Sequence, residues 1–276
     1  MLIPRPKVTE FTVKYELHYA GVCHSDCSTG TNEWFGTTYP CVVGHEHAGV
    51  VTEVGDKVTK VKVGDRVGVG CFIDACLECS MCKKGEENYC EKGMTGTFNS
   101  VKKHGRVNGN PELTTFGGYS GSNVVHEHFV MKIPDAIPME KASPLFCAAI
   151  TLYDPLRHWG YTVGEKRVVG VVGVGGLGTM GIKLAKALGH TVIAVSRSAD
   201  KEALAKEKGA DHYVASSDPE SVKNAPFKCD IILNTVGAKH DLNAYLPLLA
   251  QDGTLVQLGG CVYSQTIHQM GLMFKR

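Results

Sequence analysis

The chain lacks any apolar run approaching the roughly 20 residues that a bilayer-spanning helix needs. Its first twenty residues alternate charged and apolar side chains and hold no apolar core of a secretion signal. Neither a membrane partner nor export is expected, and the sequence reads as that of a soluble, cytoplasmic protein. An excess of charge is also missing: 29 Lys and Arg stand against 28 Asp and Glu. No basic run or basic-aromatic interleaving marks a surface that follows a phosphate backbone, so nucleic acid is not an expected partner. Internal repeats and low-complexity segments are absent too. What the chain has in quantity is cysteine, eleven of them. In a chain of this size without an export signal, reduced thiols and metal binding are expected in place of disulfides.

At 276 residues, 43% of them hydrophobic, the chain is long enough for two cores. Its texture divides near residue 150, which predicts domains over 1–150 and 151–276. Between residues 40 and 150, short Val-rich runs punctuated by Gly and Asp predict a small, strongly bent β structure. From about residue 165, buried-strand runs alternate with amphipathic helical patterns. Strand Arg167–Val172, a helix over 177–188 closed by Gly189, and strand Thr191–Val195 form a βαβ unit of a parallel sheet. Helix 201–208, strand 229–233, helix 242–250 and strand 254–258 are predicted to continue it.

Between the first strand and helix of that unit lies Gly173-Val174-Gly175-Gly176-Leu177-Gly178. A G-x-G-x-x-G in this context predicts a dinucleotide site. The first Gly permits the turn, the second lets the backbone approach the pyrophosphate, and the helix N-terminus meets the phosphate charge. An acidic residue at the end of the second strand would favour NAD. The chain instead has Ser196-Arg197-Ser198 and Lys201, a cluster suited to a 2′-phosphate, so NADP(H) is expected; the alternative is an exposed strand-to-helix turn in which Ser198 caps the next helix and Arg197 is solvated.

The cysteines fall into two groups. Cys76, Cys79, Cys82 and Cys90 follow C-x2-C-x2-C-x7-C. Four thiolates saturate a tetrahedral zinc and make a structural site. Buried free thiols and a redox dithiol are the alternatives, and the charged loop Lys83-Lys84-Gly85-Glu86-Glu87 offers no apolar setting for the first of them. A dispersed set, Cys23-His24-Ser25-Asp26, Gly44-His45-Glu46 and Cys147, contains Cys2His, the ligand set of a catalytic zinc with an open position. Spacing alone does not join its members.

Several motifs in order carry a resemblance. They are G-V-C-H-S-D, N-E-W, Y-P-x-V-x-G-H-E, G-D-R-V-G-V-G, the four-cysteine loop, G-G-Y, H-E-H-F-V, C-A-x-I-T-x-Y and G-V-G-G-L-G. Over residues 13 to 260 the chain resembles the zinc-dependent medium-chain alcohol dehydrogenases of the cinnamyl alcohol dehydrogenase type. The resemblance implies an α/β protein: a GroES-like β-barrel catalytic lobe beside a Rossmann doubly wound parallel sheet, with the active site in the cleft between them. It implies two Zn2+ per chain. Cys23, His45 and Cys147 would hold the catalytic one, with Glu46 as a transient ligand, and Cys76, Cys79, Cys82 and Cys90 the structural one. Asp26 would bond His45, Ser25 would pass the substrate proton, and Thr151 would lie under the nicotinamide. His24 would approach the pyrophosphate, and Trp34 would wall an apolar substrate pocket. The function implied is NADP(H)-dependent hydride transfer between nicotinamide and an apolar or aromatic alcohol or aldehyde. A shortened, inactive form that binds zinc and NADPH, or a reductase of iminium or conjugated double bonds, is the alternative.

Three departures from the pattern stand out. Ser28 replaces a histidine that ends the family's proton relay, so proton delivery is expected to be slow or to need water. Only 22 residues precede Cys23. The chain ends at Arg276, where relatives continue with the strand that pairs two subunits, so the expected homodimer would lack its pairing strand. Cys27, Cys41, Cys71, Cys229 and Cys261 are expected to be packing residues.

Overall fold

The computed structural model describes residues 2–104 and 114–275. The chain forms two compact units, Met1–Cys147 and Ala148–Arg276. No helix among the described residues is long and apolar enough to cross a membrane.

In the first unit, strand β1 (Thr12–Ala20) is followed by helix α1 (His24–Gly30), β2 (His47–Val54), β3 (Arg66–Val69), β4 (Phe72–Asp74), α2 (Ser80–Lys83), β5 (Thr95–Gly96), β6 (Ser122–His126), β7 (Met131–Lys132) and α3 (Met139–Ala142). Five strands form a sheet in the order β6-β1-β2-β3-β7, and its pairs are all antiparallel. Its core is built from Val13, Tyr15, Val51, Val67, Val69, Val125 and Val130, all buried. β-Branched and aromatic side chains suit such a pleated, half-buried surface.

Two registers in this sheet bring distant segments of the chain together. Ala20 pairs with His47, so the chain leaving β1 lies beside the chain entering β2. His47 in turn pairs with Val69 of β3. Gly68 on β3 leaves room for the ring of Phe146: a β-carbon built there would stand 1.9 Å from the ring. The segment ending at Cys147 therefore docks on β3 because a glycine is there to receive it.

The second unit contains α4 (Ala148–His158), β8 (Val168–Val172), α5 (Gly176–Ala187), β9 (Thr191–Ser196), α6 (Glu202–Glu207), β10 (His212–Ala215), α7 (Pro219–Lys223), β11 (Cys229–Asn234), β12 (Leu249–Gln257) and α8 (Gln269–Met273). The strands make one parallel sheet in the order β10-β9-β8-β11-β12. The central strands are near-continuous apolar runs because both sheet faces are covered. Val169, Val171, Ile182, Ala194, Ile231 and Leu233 pack on one face, and Val172, Ile193, Val195 and Ile232 on the other.

The predicted helix 242–250 does not form. Residues 242–244 and 246–248 make two short 3-10 turns, and strand β12 begins already at Leu249. Pro247 explains the difference: it has no N–H for an i→i−4 bond, and its ring clashes with the preceding turn. Strand β10 and helix α7 carry too weak a periodicity to have been predicted. The packing role expected for the leftover cysteines holds for Cys229, which is buried, but not for Cys27 and Cys71, which are exposed.

Candidate active site and structural metal loop

The four-cysteine loop folds around its own sulfurs. All four lie within 4.8 Å of one another, and Cys76 Sγ is 3.8 Å from Cys82 Sγ. A tetrahedral zinc with Zn–S bonds of about 2.3 Å spaces its sulfurs about 3.8 Å apart, so the donors fit that ion. Backbone N–H groups support the thiolates: Cys79 N donates to Cys76 Sγ at 3.3 Å and Cys76 N to Cys90 Sγ at 3.5 Å. The four are buried against Ala75 and Phe129, with Phe72, Leu77 and Met81 packed around them. An apolar setting is thus present on the inner side, contrary to expectation, while Lys83 and Lys84 are exposed. The mutual distances, not exposure, separate this set from ordinary core thiols.

The dispersed residues also converge. Cys23 is the extended residue that opens α1, directly after β1. His45 and Glu46 precede β2, following Gly44, whose φ of +106° puts it in the left-handed region open to glycine. Cys147 follows the segment docked on β3. Donor atoms of Cys23, His45, Glu46 and Cys147 all lie within 4.8 Å of one another. Cys23 Sγ is 3.9 Å from Cys147 Sγ, and His45 Nε2 is 3.2 Å from Cys147 Sγ. Two thiols, an imidazole and a carboxylate at these separations fit zinc.

Asp26 organises this set. Its Oδ1 accepts from His45 Nδ1 at 3.1 Å and from Gly44 N at 3.0 Å. Its Oδ2 accepts from Cys23 N at 3.0 Å and from the Tyr119 hydroxyl at 2.7 Å. The bond at Nδ1 fixes the His45 tautomer and leaves Nε2 free toward the sulfurs. The Cys23 thiol is pushed up to about 11, first by its hydrogen bond with Cys147 and then by burial. Burial opposes protonation of His45, yet the bond to Asp26 and those to the two cysteines lift it to about 12. Burial and the nearby Cys23 charge raise the Glu46 carboxyl to about 7. Burial and mutual contact of two thiols, an imidazole and a carboxyl act together in these shifts, and a divalent cation would favour the deprotonated ligands.

The remaining residues singled out in the sequence are spread around this set. Ser25 is half-buried, with its Oγ 3.5 Å from Cys23 Sγ. His24 is exposed beside it, and Trp34 is 39% exposed in the loop after α1. Ser28 is buried, and its hydroxyl donates to Glu33 Oε2 at 2.8 Å. In the sequence Glu33 stands only inside the N-E-W motif, with no role of its own assigned to it. Gly21 has a role the sequence does not reveal: a β-carbon there would meet Glu46 Oε2 at 1.9 Å, so the glycine makes the notch that Glu46 occupies. The ring of Phe98, 5.4 Å from that of His45, is likewise without a local signal.

In the second unit, the glycine loop divides its tasks. Gly173 has φ +92°, and a β-carbon at Gly178 would meet the Gly173 carbonyl at 1.7 Å. These two allow the turn and the close packing of α5 on β8. Gly175 and Gly176 have nothing within 4 Å of an added β-carbon, which leaves the start of α5 open to a phosphate. Leu177 packs on the core beneath. Lys201 Nζ donates to the Val174 carbonyl at 3.1 Å, tying the loop to the cluster after β9. Arg197 is exposed there, and Ser198 Oγ donates to Asp200 Oδ2 at 2.8 Å; Ser196 ends the strand. Thr151 is half-buried in α4.

Comparison with known proteins agrees with both units. Residues 9–135 match the alcohol dehydrogenase GroES-like domain, and residues 176–276 match the zinc-binding dehydrogenase family. The chain is 52% identical over 258 residues to NADP-dependent alcohol dehydrogenase C 1 of Mycolicibacterium smegmatis, covering 93% of this chain and 71% of that protein. It is 48% identical over 250 residues to aldehyde reductase YahK of Escherichia coli, covering 90% of this chain and 68% of that one. Among solved structures, the cinnamyl alcohol dehydrogenase SbCAD4 of Sorghum bicolor superposes with a TM-score of 0.91 at 38% identity, over 99% of this chain and 76% of its own. The chain belongs to the zinc-dependent medium-chain alcohol dehydrogenases. Within that class its likeness is to the cinnamyl alcohol dehydrogenase type, and it is accordingly an oxidoreductase.

Proposed function

We propose that the protein is an NADP(H)-dependent zinc alcohol dehydrogenase and aldehyde reductase acting on apolar or aromatic substrates. The observation that carries this reading is the convergence of Cys23, His45 and Cys147, with Asp26 bonded to the far nitrogen of the imidazole. The names of relatives support the cofactor, since those from Mycolicibacterium are NADP-dependent and a Helicobacter pylori cinnamyl alcohol dehydrogenase structure is a complex with NADP(H).

Cys23, His45 and Cys147 would hold the catalytic zinc, which supplies Lewis-acid stabilisation of charge on a substrate oxygen. The four cysteines from Cys76 to Cys90 would hold a second ion that supplies only structure. Gly173 to Gly178 would seat the pyrophosphate of the nicotinamide cofactor, which supplies the hydride. Ser196, Arg197, Ser198 and Lys201 would meet the 2′-phosphate, with His24 and Thr151 on the pyrophosphate and nicotinamide sides and Trp34 against the substrate. The domains assigned from sequence, 1–150 and 151–276, would divide this work.

Ser25, half-buried beside Cys23, would exchange a proton with substrate. Ser28 lies three residues on along α1, on the same helix face. Its hydroxyl donates to the exposed Glu33 carboxylate, which would offer a proton a route to water. Serine cannot store a proton near neutral pH as histidine does, but a serine with a carboxylate acceptor can pass one. Both thiolate sets need a reducing compartment, which supports a cytoplasmic location. A homodimer is the assembly that the family resemblance supports.

Metal content and NADPH oxidation with a panel of aromatic aldehydes test the proposal. Two zinc equivalents and aldehyde-dependent turnover that disappears on chelation are expected. Turnover that survives chelation, NADPH binding without reduction of any aldehyde, or reduction of conjugated double bonds alone would overturn it.

A further inference from the structure

One motif of the first unit, Gly117-Gly118-Tyr119, has no part in the proposed reaction. Its segment lies alongside Val42 to Gly44, the approach to the ligand His45. Gly117 N donates to Val42 O at 2.7 Å, Gly118 N to Gly44 O at 2.9 Å, and Tyr119 N to Val43 O at 3.1 Å. Both glycines are required by how close these backbones come. A β-carbon at Gly117 would stand 2.4 Å from the Gly44 carbonyl oxygen, and one at Gly118 would stand 2.3 Å from the His47 ring. The buried end of Arg5 braces the same loop, donating to Gly117 O at 2.9 Å and to Ser120 Oγ at 2.6 Å on either side of Tyr119. The two glycines and the brace thus deliver one group to a defined place: the Tyr119 hydroxyl, 2.7 Å from Asp26 Oδ2.

That position is the last open site on the carboxylate. Asp26 already receives Cys23 N, Gly44 N and His45 Nδ1, so one carboxylate holds the backbone of one zinc ligand and the ring of another. Three of its four donors come from segments adjoining the ligands themselves. Tyr119 is the fourth, and among the described residues it is the one that reaches Asp26 from a separate loop. With Tyr119, Oδ2 is held by two donors as Oδ1 is, so turning the carboxylate breaks two bonds at each oxygen and not one at Oδ2. We infer that Tyr119 is a positioning residue for the catalytic metal: its hydroxyl locks the Asp26 carboxylate and, through it, the ring of His45 and the main chain of Cys23.

This inference rests on the proposed ligand set, and the experiment separates the two. Tyr119→Phe keeps the ring, which packs against Gly44, and removes only the hydroxyl. Zinc release from the full chain to a chromogenic chelator is followed for the unaltered protein and the variant. Outer partners of metal-binding histidines typically change metal affinity by about 10- to 100-fold. The more labile zinc equivalent is expected to leave roughly tenfold faster in Tyr119→Phe, while the second equivalent and the thermal midpoint stay unchanged. After exchange of the labile equivalent for cobalt(II), the d–d absorption bands are expected to shift between the two proteins. Unchanged release with unshifted bands overturns the inference. Faster release of both equivalents with a lowered thermal midpoint also overturns it, since that marks a loosened unit. If Cys147→Ala retains both zinc equivalents, the ligand assignment itself fails, and the role of Tyr119 falls with it.

Discussion

The two cysteine sets of the first unit are built from similar donors in opposite ways. The loop from Cys76 to Cys90 draws four sulfurs from fifteen consecutive residues and buries all of them. The other set draws Cys23, His45 and Cys147 from three distant segments and leaves both thiols half-buried. Four thiolates complete a tetrahedron and exclude substrate. Two thiolates and an imidazole would leave one position open, and the Glu46 carboxylate, in the notch made by Gly21, lies within 4.8 Å of those donors. On the proposed reading, conspicuous spacing marks the metal that would hold the lobe, and scattered residues mark the one that would react.

The largest expected effect falls on the loop. Structural zinc in small peptides contributes about 10–16 kcal/mol of apparent binding, comparable with the ~5–15 kcal/mol of a whole domain. Cys79→Ser should lose one zinc equivalent and melt the first unit at a much lower temperature. A normal melting curve in a protein with one zinc fewer would break the distinction from the structural side.

Cys147→Ala tests the other side. Losing the Lewis acid removes several kcal/mol of transition-state stabilisation, or about three orders of magnitude in kcat/KM. The melting temperature should move far less than in Cys79→Ser, because the second set ties together segments already paired in the sheet. A variant that unfolds as Cys79→Ser does would show that both sites are structural.

A smaller effect is expected in the second unit. Arg197→Asp removes a charge-assisted contact to a 2′-phosphate and adds a repulsion, worth about 2–3 kcal/mol. The NADPH to NADH ratio of kcat/KM should fall by roughly 30- to 100-fold, with zinc content unchanged. An unaltered ratio would remove Arg197 from the cofactor site.

The smallest expected effect concerns acid. Burial pushes the Asp211 carboxyl up, but the ion pair with Lys186 and the bond from Val192 N outweigh it and hold the carboxyl below its usual value. A folded value below the unfolded one means the stabilisation is complete above about pH 4 and lost as pH falls through the lowered value. The pair is partly exposed, so Asp211→Asn should cost about half a kcal/mol at neutral pH and nothing at pH 2. Equal losses at both pH values, in urea titrations, would contradict the assignment.

Much of this was legible in the chain. Cys76 to Cys90 and Gly173 to Gly178 each carry their geometry within a few residues, and the strand-helix alternation after residue 165 carries the parallel sheet. The predicted helix 242–250 failed on Pro247, which local apolar periodicity does not weigh. The joining of Cys23, His45 and Cys147 came from resemblance and not from spacing. Tyr119, Glu33 and Gly21 were visible only as members of motifs without a role of their own: Tyr119 and Gly21 act on partners distant in the chain, and Glu33 meets Ser28 only through the turn that follows α1.

The sequence by itself determined the local devices: a four-thiolate loop, a glycine turn ahead of a helix, and a cluster suited to phosphate after β9. In each, neighbours along the chain are neighbours in space, so spacing is geometry. Tertiary structure alone decided the convergence of Cys23, His45 and Cys147. The β1–β2 register sets Ala20 opposite His47 and so brings Cys23 to His45, and Gly68 admits Phe146 and with it Cys147. The G-G-Y loop then carries a hydroxyl to Asp26. Those contacts depend on strand register and on close backbone approach, which arise only when distant segments pack.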